Sequence, residues 1–335
     1  MKDRENLKNA FLAQNNLSSG IIEKLPQDAS FRSYFRIKQD GKSTILMDAD
    51  TTKEDVKQFV KVASFLAKNK FSVPEVIAAD EKKGFLLLED FGDDTFAKLL
   101  IKEPERETEL YEKAIDLLIA LHKVQAADNL LPYFSDEVIL EEAKIFTDWY
   151  VPTLFNETVS KKSLEEYEII YRHLFQYVRL IPETNVLKDY HSENLMWLDD
   201  RNSINKVGLL DFQSAMVGSP IYDIVSLLED ARRDVSQDLT QAMINRYLEA
   251  RPEISRKNFL ATYAILSAHR NLRIVGVFAR KATRDGNSNY LKYLPRVWGY
   301  IEKNLRHPLL VPFKSWLDKV ISPELRNKNK AKVNG

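Results

Sequence analysis

A hairpin pattern occupies the N-terminal part of the chain. Polar and aromatic residues alternate over residues 30–38, and a second strand-like run covers residues 44–49. Asp40 and Gly41 stand between the two runs, and Asp-Gly in such a place is a strong indication of a tight β-turn. The pattern therefore predicts two strands joined at Asp40–Gly41.

An amphipathic helix and a second strand pair follow this hairpin. Apolar residues recur at helical spacing over residues 56–66, behind Thr52 and Asp55, which resemble a capping box. Residues 76–79 and 85–89 have the pattern of strands on either side of a charged turn. Together these patterns predict a small sheet that carries one helix.

From residue 93 onward the pattern is mostly helical. One β-like segment, residues 195–211, interrupts it. Five amphipathic runs have the length of helices, at residues 110–127, 136–150, 163–180, 236–250 and 257–281. We therefore predict the α+β class, with a β-rich N-lobe at residues 1–91 that binds a nucleotide, a hinge near residues 89–92, and a mostly helical C-lobe at residues 92–335.

Composition and charge exclude several classes of protein. The chain has 335 residues, more than one typical hydrophobic core can absorb, which favours two lobes. Lys plus Arg and Asp plus Glu are balanced at 49 each, so the positive field expected of a nucleic-acid binder is missing. The absence of cysteine excludes disulfides, thiolate metal sites and a cysteine nucleophile. The sequence shows neither the pattern of a signal peptide nor an apolar run long enough to span a bilayer, so we expect a cytoplasmic protein without membrane partners.

The most informative chemistry lies in residues 186–212. Asp189 is followed five positions later by Asn194, and Asp211 stands at the end of the β-like segment. Phosphoryl transfer requires a carboxylate near the attacking hydroxyl and oxygen ligands that hold Mg²⁺ on the phosphates. Singly, each residue is more often a turn former. Their order and spacing favour Asp189 as the catalytic base and Asn194 and Asp211 as metal ligands.

This order of residues resembles a known superfamily. Asp-x-x-x-x-Asn followed by an Asp at a strand end is similar to the catalytic core of the aminoglycoside phosphotransferase and choline kinase superfamily, which shares the protein-kinase fold. The resemblance covers nearly the whole chain. It implies a protein-kinase-like two-lobed fold, with ATP and Mg²⁺ as cofactors and an alcohol group as the phosphate acceptor.

A narrower resemblance is to the bacterial anomeric amino-sugar kinases of cell-wall recycling, which phosphorylate the C1 hydroxyl of N-acetylmuramate and N-acetylglucosamine. It rests on residues 28–36, 47–49, 84–92, 189–196, 210–215, 222–228, 276–280 and 284–286. It implies an ATP-dependent sugar kinase of peptidoglycan recycling whose partner is a small-molecule substrate. The sequence indicates neither the preferred sugar nor the oligomeric state.

Two positions depart from the pattern of this family. Leu187 and Lys188 stand where the family usually has His-Arg, just before the expected base. Leu187 suits a core position, whereas Lys188 keeps the charge of arginine but not its bidentate geometry. We expect this change to affect rate or substrate preference. Asn271 also stands where a His is expected after Arg270.

The nucleotide phosphates need a cover that no glycine-rich motif provides. Neither Gly-x-Gly-x-x-Gly nor a P-loop occurs, so we expect the turn at residues 28–33 to cover them through backbone amides, Ser30 and Arg32. Met47 stands at the third-strand position where protein kinases have a lysine. Arg32 or Arg36 is expected to replace that cation, although solvated strand residues explain both arginines equally well.

The resemblance assigns roles to four further residues. Glu89 and Phe91 lie in a segment similar to the inter-lobe hinge whose backbone pairs with adenine. Asp223 corresponds to an aspartate that braces the catalytic loop in related kinases. His191, between the expected base and the first metal ligand, is expected to stabilise the loop by a hydrogen bond.

The acceptor pocket is the least defined part of the expected site. Glu142 and Trp149 lie on a predicted helix before the catalytic loop, where this superfamily builds its substrate site, but core packing explains them at least as well. Arg270 and Arg280 are candidates for binding an anionic group such as a lactyl carboxylate. Pairing with helix acids is an equal explanation.

Alternatives to an amino-sugar kinase stay open. A protein kinase is disfavoured because the connector between Asp211 and Asp223 has no room for an activation loop. Choline, homoserine, ketosamine or aminoglycoside kinases share the three core residues. A non-catalytic, nucleotide-binding pseudokinase fits the missing third-strand lysine, although such a protein has little reason to keep the base and both metal ligands.

Overall fold

The chain forms two compact units. The computed structural model describes residues 2–26, 32–54 and 56–326. One unit comprises residues 1–117 and 192–215, and the second comprises residues 118–191 and 216–335. Each unit is therefore discontinuous in sequence. The single boundary between residues 91 and 92 stays a prediction.

A five-stranded antiparallel sheet dominates the first unit. Its spatial order is β1-β2-β3-β5-β4. The strands are β1 Ile21–Lys24, β2 Arg32–Gln39, β3 Lys42–Ala49, β4 Val76–Asp80 and β5 Phe85–Glu89. Both predicted strand pairs are thus confirmed, and β3 pairs with β5 so that the two hairpins share one sheet.

Two turns in this sheet depend on backbone conformations that favour glycine. Asp40 and Gly41 have φ angles of 51° and 72°, the pair of positive values that a two-residue type I′ hairpin turn requires. Gly84 has a φ of 77°, and a Cβ atom there would lie 2.3 Å from the carbonyl oxygen of Ala49. The sequence therefore specifies the ends of both hairpins.

Helices cover the sheet of the first unit. Phe11 and Leu12 of helix α1 (Lys2–Gln14) pack in one core with residues from β2, β3 and β5. Helix α2 (Val56–Lys68) buries Phe59 and Leu66 together with Val56, Val62 and Ala63, as its predicted apolar face requires. Asp55, the second half of the expected capping box, lies outside the described residues.

The hairpin predicted at residues 195–211 is present in the first unit. Strands β7 (Leu195–Trp197) and β8 (Val207–Leu209) pair antiparallel. The amide of Leu209 donates to the carbonyl of Ser72 at 2.8 Å, which attaches this hairpin to the chain between α2 and β4. Helix α3 (Phe96–Lys102) packs beside it.

The second unit is mainly helical. Helix α4 (Glu107–Leu121) begins in the first unit and ends in the second. The other helices are α5 Asp136–Ile145, α6 Val151–Phe155, α7 Lys161–Val178, α8 Ile221–Leu228, α9 Gln237–Ala250, α10 Arg256–Arg284, α11 Leu294–Asn304 and α12 Val311–Val320. All five predicted helical runs contain a helix, but α4 ends at Leu121 rather than at residue 127, and α5 ends at Ile145 rather than at residue 150. Serine side chains cap the N-termini of α5, α7, α9 and α10.

Two features of the second unit were not expected. Strands β6 (Thr184–Val186) and β9 (Met216–Gly218) form a two-stranded sheet, so the hairpin at residues 195–211 is not the one interruption of the helical pattern. A π-helical turn, Phe146–Tyr150, joins α5 to α6. Gly276 of α10 lies against this region, because a Cβ atom there would come within 2.5 Å of the carbonyl oxygen of Ile145.

Candidate active site

The backbone that leads to Asp189 is fixed by Asp223. The amides of Leu187 and Lys188 each donate to the Asp223 carboxylate at 2.8 Å. Lys188 has a φ of 70°, a left-handed conformation that is uncommon for a residue with a long side chain. Two hydrogen bonds to one buried carboxylate compensate this strain and hold the chain at the position preceding Asp189.

A buried histidine completes the environment of Asp223. His122 places Nε2 3.5 Å from the Asp223 carboxylate, and both side chains are fully inaccessible to solvent. Its Nδ1 atom lies 2.9 Å from the hydroxyl of Tyr247. Burial lowers the pKa of His122, so the ring is uncharged near neutral pH. Asp223 is therefore held by neutral groups and backbone amides.

Glu142 lies at the centre of a cluster of basic side chains. Its carboxylate forms an ion pair with Lys188 and lies 3.4 Å from Nε of Arg273 and 3.3 Å from Nε2 of His269. Burial alone would raise the pKa of Glu142, but Arg273, His269 and Lys188 hold it well below its usual value. Glu142, expected from sequence at the substrate, is thus engaged by the side chain next to Asp189.

Arg273 connects this cluster to the expected base electrostatically. Glu142, Tyr222 and Asp189 all contribute to raising the pKa of Arg273 against the opposing effect of burial. The guanidinium therefore lies within the field of the Asp189 carboxylate.

His191 is buried on the same loop. Its pKa is lowered mainly by burial, with smaller opposing effects from Asp230 and Asp189. A neutral ring that is nearly inaccessible to solvent suits a role in holding the loop better than a role in proton transfer.

The remaining residues expected at the acceptor differ in their surroundings. Arg270 is buried, and its guanidinium donates to the hydroxyl of Ser226 at 2.9 Å and to the carbonyl of Glu229 at 3.2 Å. Trp149 is half-buried in the π-helical turn, and Arg280 is half-buried on α10. The guanidinium of Arg270 is therefore hydrogen-bonded to other residues between the helices, whereas Nε of Arg280 has no hydrogen-bond partner.

Asn194 and Asp211 lie together at one end of the β7–β8 hairpin. The amide of Leu210 donates to the carbonyl of Asn194 at 2.9 Å, so Asn194 stands opposite the residue that precedes Asp211. Asp211 has a φ of 53°, a conformation that only a few per cent of non-glycine residues adopt. Strained backbone of this kind is concentrated at functional sites.

The side chain of Asp211 is held by Arg32. Nη2 of Arg32 donates to a carboxylate oxygen at 3.1 Å, and Nε2 of Gln213 donates to the same oxygen at 2.8 Å. Nε of Arg32 also lies 3.6 Å from the Glu54 carboxylate. Arg32 is buried on β2, whereas the Asp211 side chain is 41% exposed and can still accept a ligand.

The donor set at this hairpin fits a hard divalent cation. An amide oxygen from Asn194 and a carboxylate from Asp211 are oxygen ligands of the kind that Mg²⁺ prefers, and such sites usually depend on phosphate oxygens for completion. Within the described ranges, no group of three or more His, Cys, Asp or Glu side chains could hold a metal ion by itself. The arrangement suits a cation delivered with a nucleotide.

Arg36 has a different role from Arg32. Its guanidinium donates to both carboxylate oxygens of Asp90, at 2.7 and 3.0 Å, and to Asp93 and the carbonyl of Gly92. Arg36 therefore fixes the segment after β5. Of the two arginines expected to replace the missing lysine, Arg32 is the one that contacts an expected metal ligand. Met47, at the lysine's position on β3, is buried.

The expected adenine-binding segment packs on β8. The carboxylate of Glu89 pairs with Arg201, and the amide of Glu89 donates to the carbonyl of Glu75 at 2.9 Å. A Cβ atom at Gly208 would lie 2.8 Å from the ring of Phe91, so this ring rests directly on the strand backbone. Ser30 lies outside the described residues.

Sequence reasoning missed the basic partners of Glu142. His269 and Arg273 are four residues apart on α10, so they share one face of the helix. Arg270, the residue selected from sequence, points instead toward Ser226. The four-residue spacing of His269 and Arg273 can be read from the sequence and places them on one face of a helix. That this face contacts Glu142 could be learned only from the packing of α10.

Comparisons with known proteins agree with this geometry. The model of the phosphotransferase enzyme family matches residues 21–256. The chain belongs to this family. A relative from Caulobacter vibrioides, named N-acetylmuramate/N-acetylglucosamine kinase, is 36% identical over 97% of this chain and 98% of its own length. A relative of the same name from Pseudomonas aeruginosa is also 36% identical, over 82% of this chain and 81% of its own length.

A solved structure supports the fold. The ADP-bound aminoglycoside phosphotransferase APH(2'')-Ib has a TM-score of 0.61 with this protein at 13% identity, covering 89% of this chain and 98% of the other. The comparison confirms the α+β, protein-kinase-like fold class. The match to the phosphotransferase family confirms the superfamily resemblance seen in the order of Asp189, Asn194 and Asp211. Over the part of the chain that the structure describes, no helix is long and apolar enough to cross a bilayer.

Proposed function

We propose that the protein transfers the γ-phosphate of ATP to the anomeric hydroxyl of an N-acetylated amino sugar, N-acetylmuramate or N-acetylglucosamine. The observation that carries this proposal is the identity of 36% over 97% of the chain to a relative named for both sugars. The loop geometry agrees with it, because Asp189 follows a backbone segment fixed by Asp223.

In this proposal Asp189 accepts the proton of the sugar hydroxyl. An anomeric hydroxyl is more acidic than an ordinary alcohol, so the carboxylate mainly orients the attacking oxygen. Positioning and charge neutralisation then supply most of the rate enhancement. Arg273 places a positive charge in the field of Asp189, while Asp223 and His191 hold the loop.

Asn194 and Asp211 would hold Mg²⁺. The cation, when bound, neutralises charge on the nucleotide phosphates. Arg32 orients Asp211 and adds a positive charge on the same side, in the place of the lysine that protein kinases carry. Ser30 is proposed to cover the phosphates, and the backbone near Glu89 and Phe91 to bind adenine.

ATP consumption by the purified protein tests this function. The acceptors are N-acetylmuramate, N-acetylglucosamine, glucose, choline, homoserine and kanamycin, each with magnesium and again with a chelator. Turnover with the two N-acetylated sugars is expected, and Asp189→Asn should lower kcat by about 10²- to 10⁴-fold. Turnover of choline, homoserine or kanamycin instead would keep the assignment as a small-molecule kinase but refute an amino sugar as the acceptor. ATP binding without turnover would favour a pseudokinase.

A further inference from the structure

Arg280 is a half-buried cation on α10. Its Nε atom is inaccessible to solvent and lacks a hydrogen-bond partner. None of the carboxylates in the described ranges forms an ion pair with it. Because desolvating a charge without a partner is costly, an arginine in this state is well suited to an anion that arrives from outside.

The arginines beside it are already neutralised. Arg273, seven residues earlier on the same face of α10, pairs with Glu142, and Arg284, one turn later, pairs with Asp285 at 2.6 and 3.0 Å. Burial, and then the charges of Arg284 and Arg273, lower the pKa of Arg280, and Asp285 opposes this only weakly. The uncompensated positive charge of this face is therefore concentrated at Arg280.

The packing of α10 places an aromatic residue at the level of Arg280. Gly276 lies against Ile145, and the hydroxyl of Thr283 lies 3.0 Å from that of Thr153. The two segments therefore run alongside each other in the same direction, which puts position 280 at the level of the half-buried Trp149. Aromatic surfaces suit the apolar face of a sugar ring, and arginine suits a carboxylate.

We propose that Arg280 binds the lactyl carboxylate of N-acetylmuramate and thereby favours this sugar over N-acetylglucosamine, which lacks that group. The inference rests on the proposed function. Arg273 is the residue of α10 whose pKa responds to the Asp189 carboxylate. Arg280 is about 10.5 Å further along the same helix. In N-acetylmuramate the lactyl ether is on C3, two carbons along the ring from the anomeric carbon, so the lactyl carboxylate can meet Arg280 while the anomeric hydroxyl meets Asp189.

Steady-state kinetics with both sugars test this assignment. The variants are Arg280→Met, Arg280→Lys and, as a matched control on the same helix face, Arg284→Gln. For Arg280→Met, the ratio of kcat/KM for N-acetylmuramate to that for N-acetylglucosamine should fall by about 10- to 100-fold, the loss of one charge-assisted hydrogen-bonded pair. The change should lie in KM, because the carboxylate is remote from the reacting atoms. Arg280→Lys should recover part of the ratio, and Arg284→Gln should leave it unchanged.

The outcomes separate this proposal from the proposed function. Equal losses with both sugars, or an unchanged ratio, would overturn the role of Arg280 while leaving the kinase assignment intact. A wild-type enzyme that turns over N-acetylglucosamine but not N-acetylmuramate would do the same. A wild-type enzyme that phosphorylates neither sugar would refute the proposed function and this inference with it. N-acetylglucosamine turnover reports that each variant is folded.

Discussion

Arg32 donates a hydrogen bond of 3.1 Å to the carboxylate of Asp211, across 179 positions of the chain. This contact joins strand β2 to the second residue after β8, so the sheet supplies a cation directly to an expected metal ligand. Met47 leaves the third strand without the usual lysine. We therefore propose that Arg32 supplies the positive charge that this lysine would provide.

Replacing Arg32 should impair nucleotide use. In Arg32→Met, Asp211 keeps only its hydrogen bond from Gln213, and a buried positive charge is lost. We expect the KM for ATP to rise and kcat to fall, with a combined loss in kcat/KM of about tenfold or more. Arg32→Lys should restore part of it. Lys38→Met, an exposed change on the same strand, is the control. Wild-type kinetics in Arg32→Met would contradict this role.

Asp223 should act on catalysis through the loop. Asp223→Asn replaces one of two acceptor oxygens by an amide donor, so the amide of Leu187 or Lys188 loses its partner. We expect kcat to fall by about tenfold or more with little change in KM, and the free energy of unfolding to fall by about 1–3 kcal/mol. Asp238→Asn, at an exposed site on α9, provides the comparison. A variant with lower stability but normal kcat would limit Asp223 to a folding role.

The ion pairs of Glu142 predict a dependence of stability on pH. Its pKa is depressed in the folded protein, so the unfolded chain binds the proton first and stabilisation is complete only above about pH 4.5, the usual value. Glu142→Gln should destabilise by about 3 kcal/mol or more at pH 7, since Lys188 and Arg273 lose their carboxylate. The gap to wild type should narrow as the pH is lowered below 4.5.

Chemical unfolding at several pH values, with Glu141→Gln as the control, measures this effect. Glu141 is the exposed neighbour of Glu142, so its replacement preserves the change in formal charge without breaking the cluster. A gap between Glu142→Gln and wild type that is constant down to acidic pH would show that Glu142 is not the stabilising carboxylate.

Two glycines on helices should respond oppositely to substitution. Gly276→Ala on α10 places a Cβ atom against the carbonyl of Ile145, and the backbone there must shift, so we expect a loss of about 1–3 kcal/mol. Gly299→Ala on α11 meets nothing within 4 Å and should gain up to about 1 kcal/mol from helix propensity. Denaturant unfolding of both variants checks this. Equal effects would mean that Gly276 of α10 does not approach the end of α5 closely.

Local signals in the sequence predicted most of the fold. The hairpin at Asp40–Gly41 follows from one dipeptide, and α10 from the long amphipathic run at residues 257–281. Strands β6 and β9 escaped prediction because each has three residues and its partner lies some 30 positions away, so no turn or period marks them. Helix α1 also escaped, since its few buried residues leave only a weak periodicity.

For the site, the sequence showed the order and spacing of the expected catalytic residues, but it did not show which side chains contact each other in the fold. Asp189, Asn194 and Asp211 could be selected because their spacing and the following hairpin are local. The sequence could not decide between Arg270 and Arg273, because both lie on α10 and packing alone turns one toward Ser226 and the other toward Glu142. For the same reason the sequence could not show which of Arg32 and Arg36 contacts Asp211.

The position of the phosphate on the product shows whether the protein is an anomeric amino-sugar kinase. Purified protein is incubated with ATP, magnesium and N-acetylmuramate or N-acetylglucosamine, and the product is examined by phosphorus NMR with and without proton decoupling. The proposed function predicts a phosphate resonance coupled to the anomeric proton of the sugar. Phosphate on another hydroxyl, or no phosphorylated sugar at all, would contradict it.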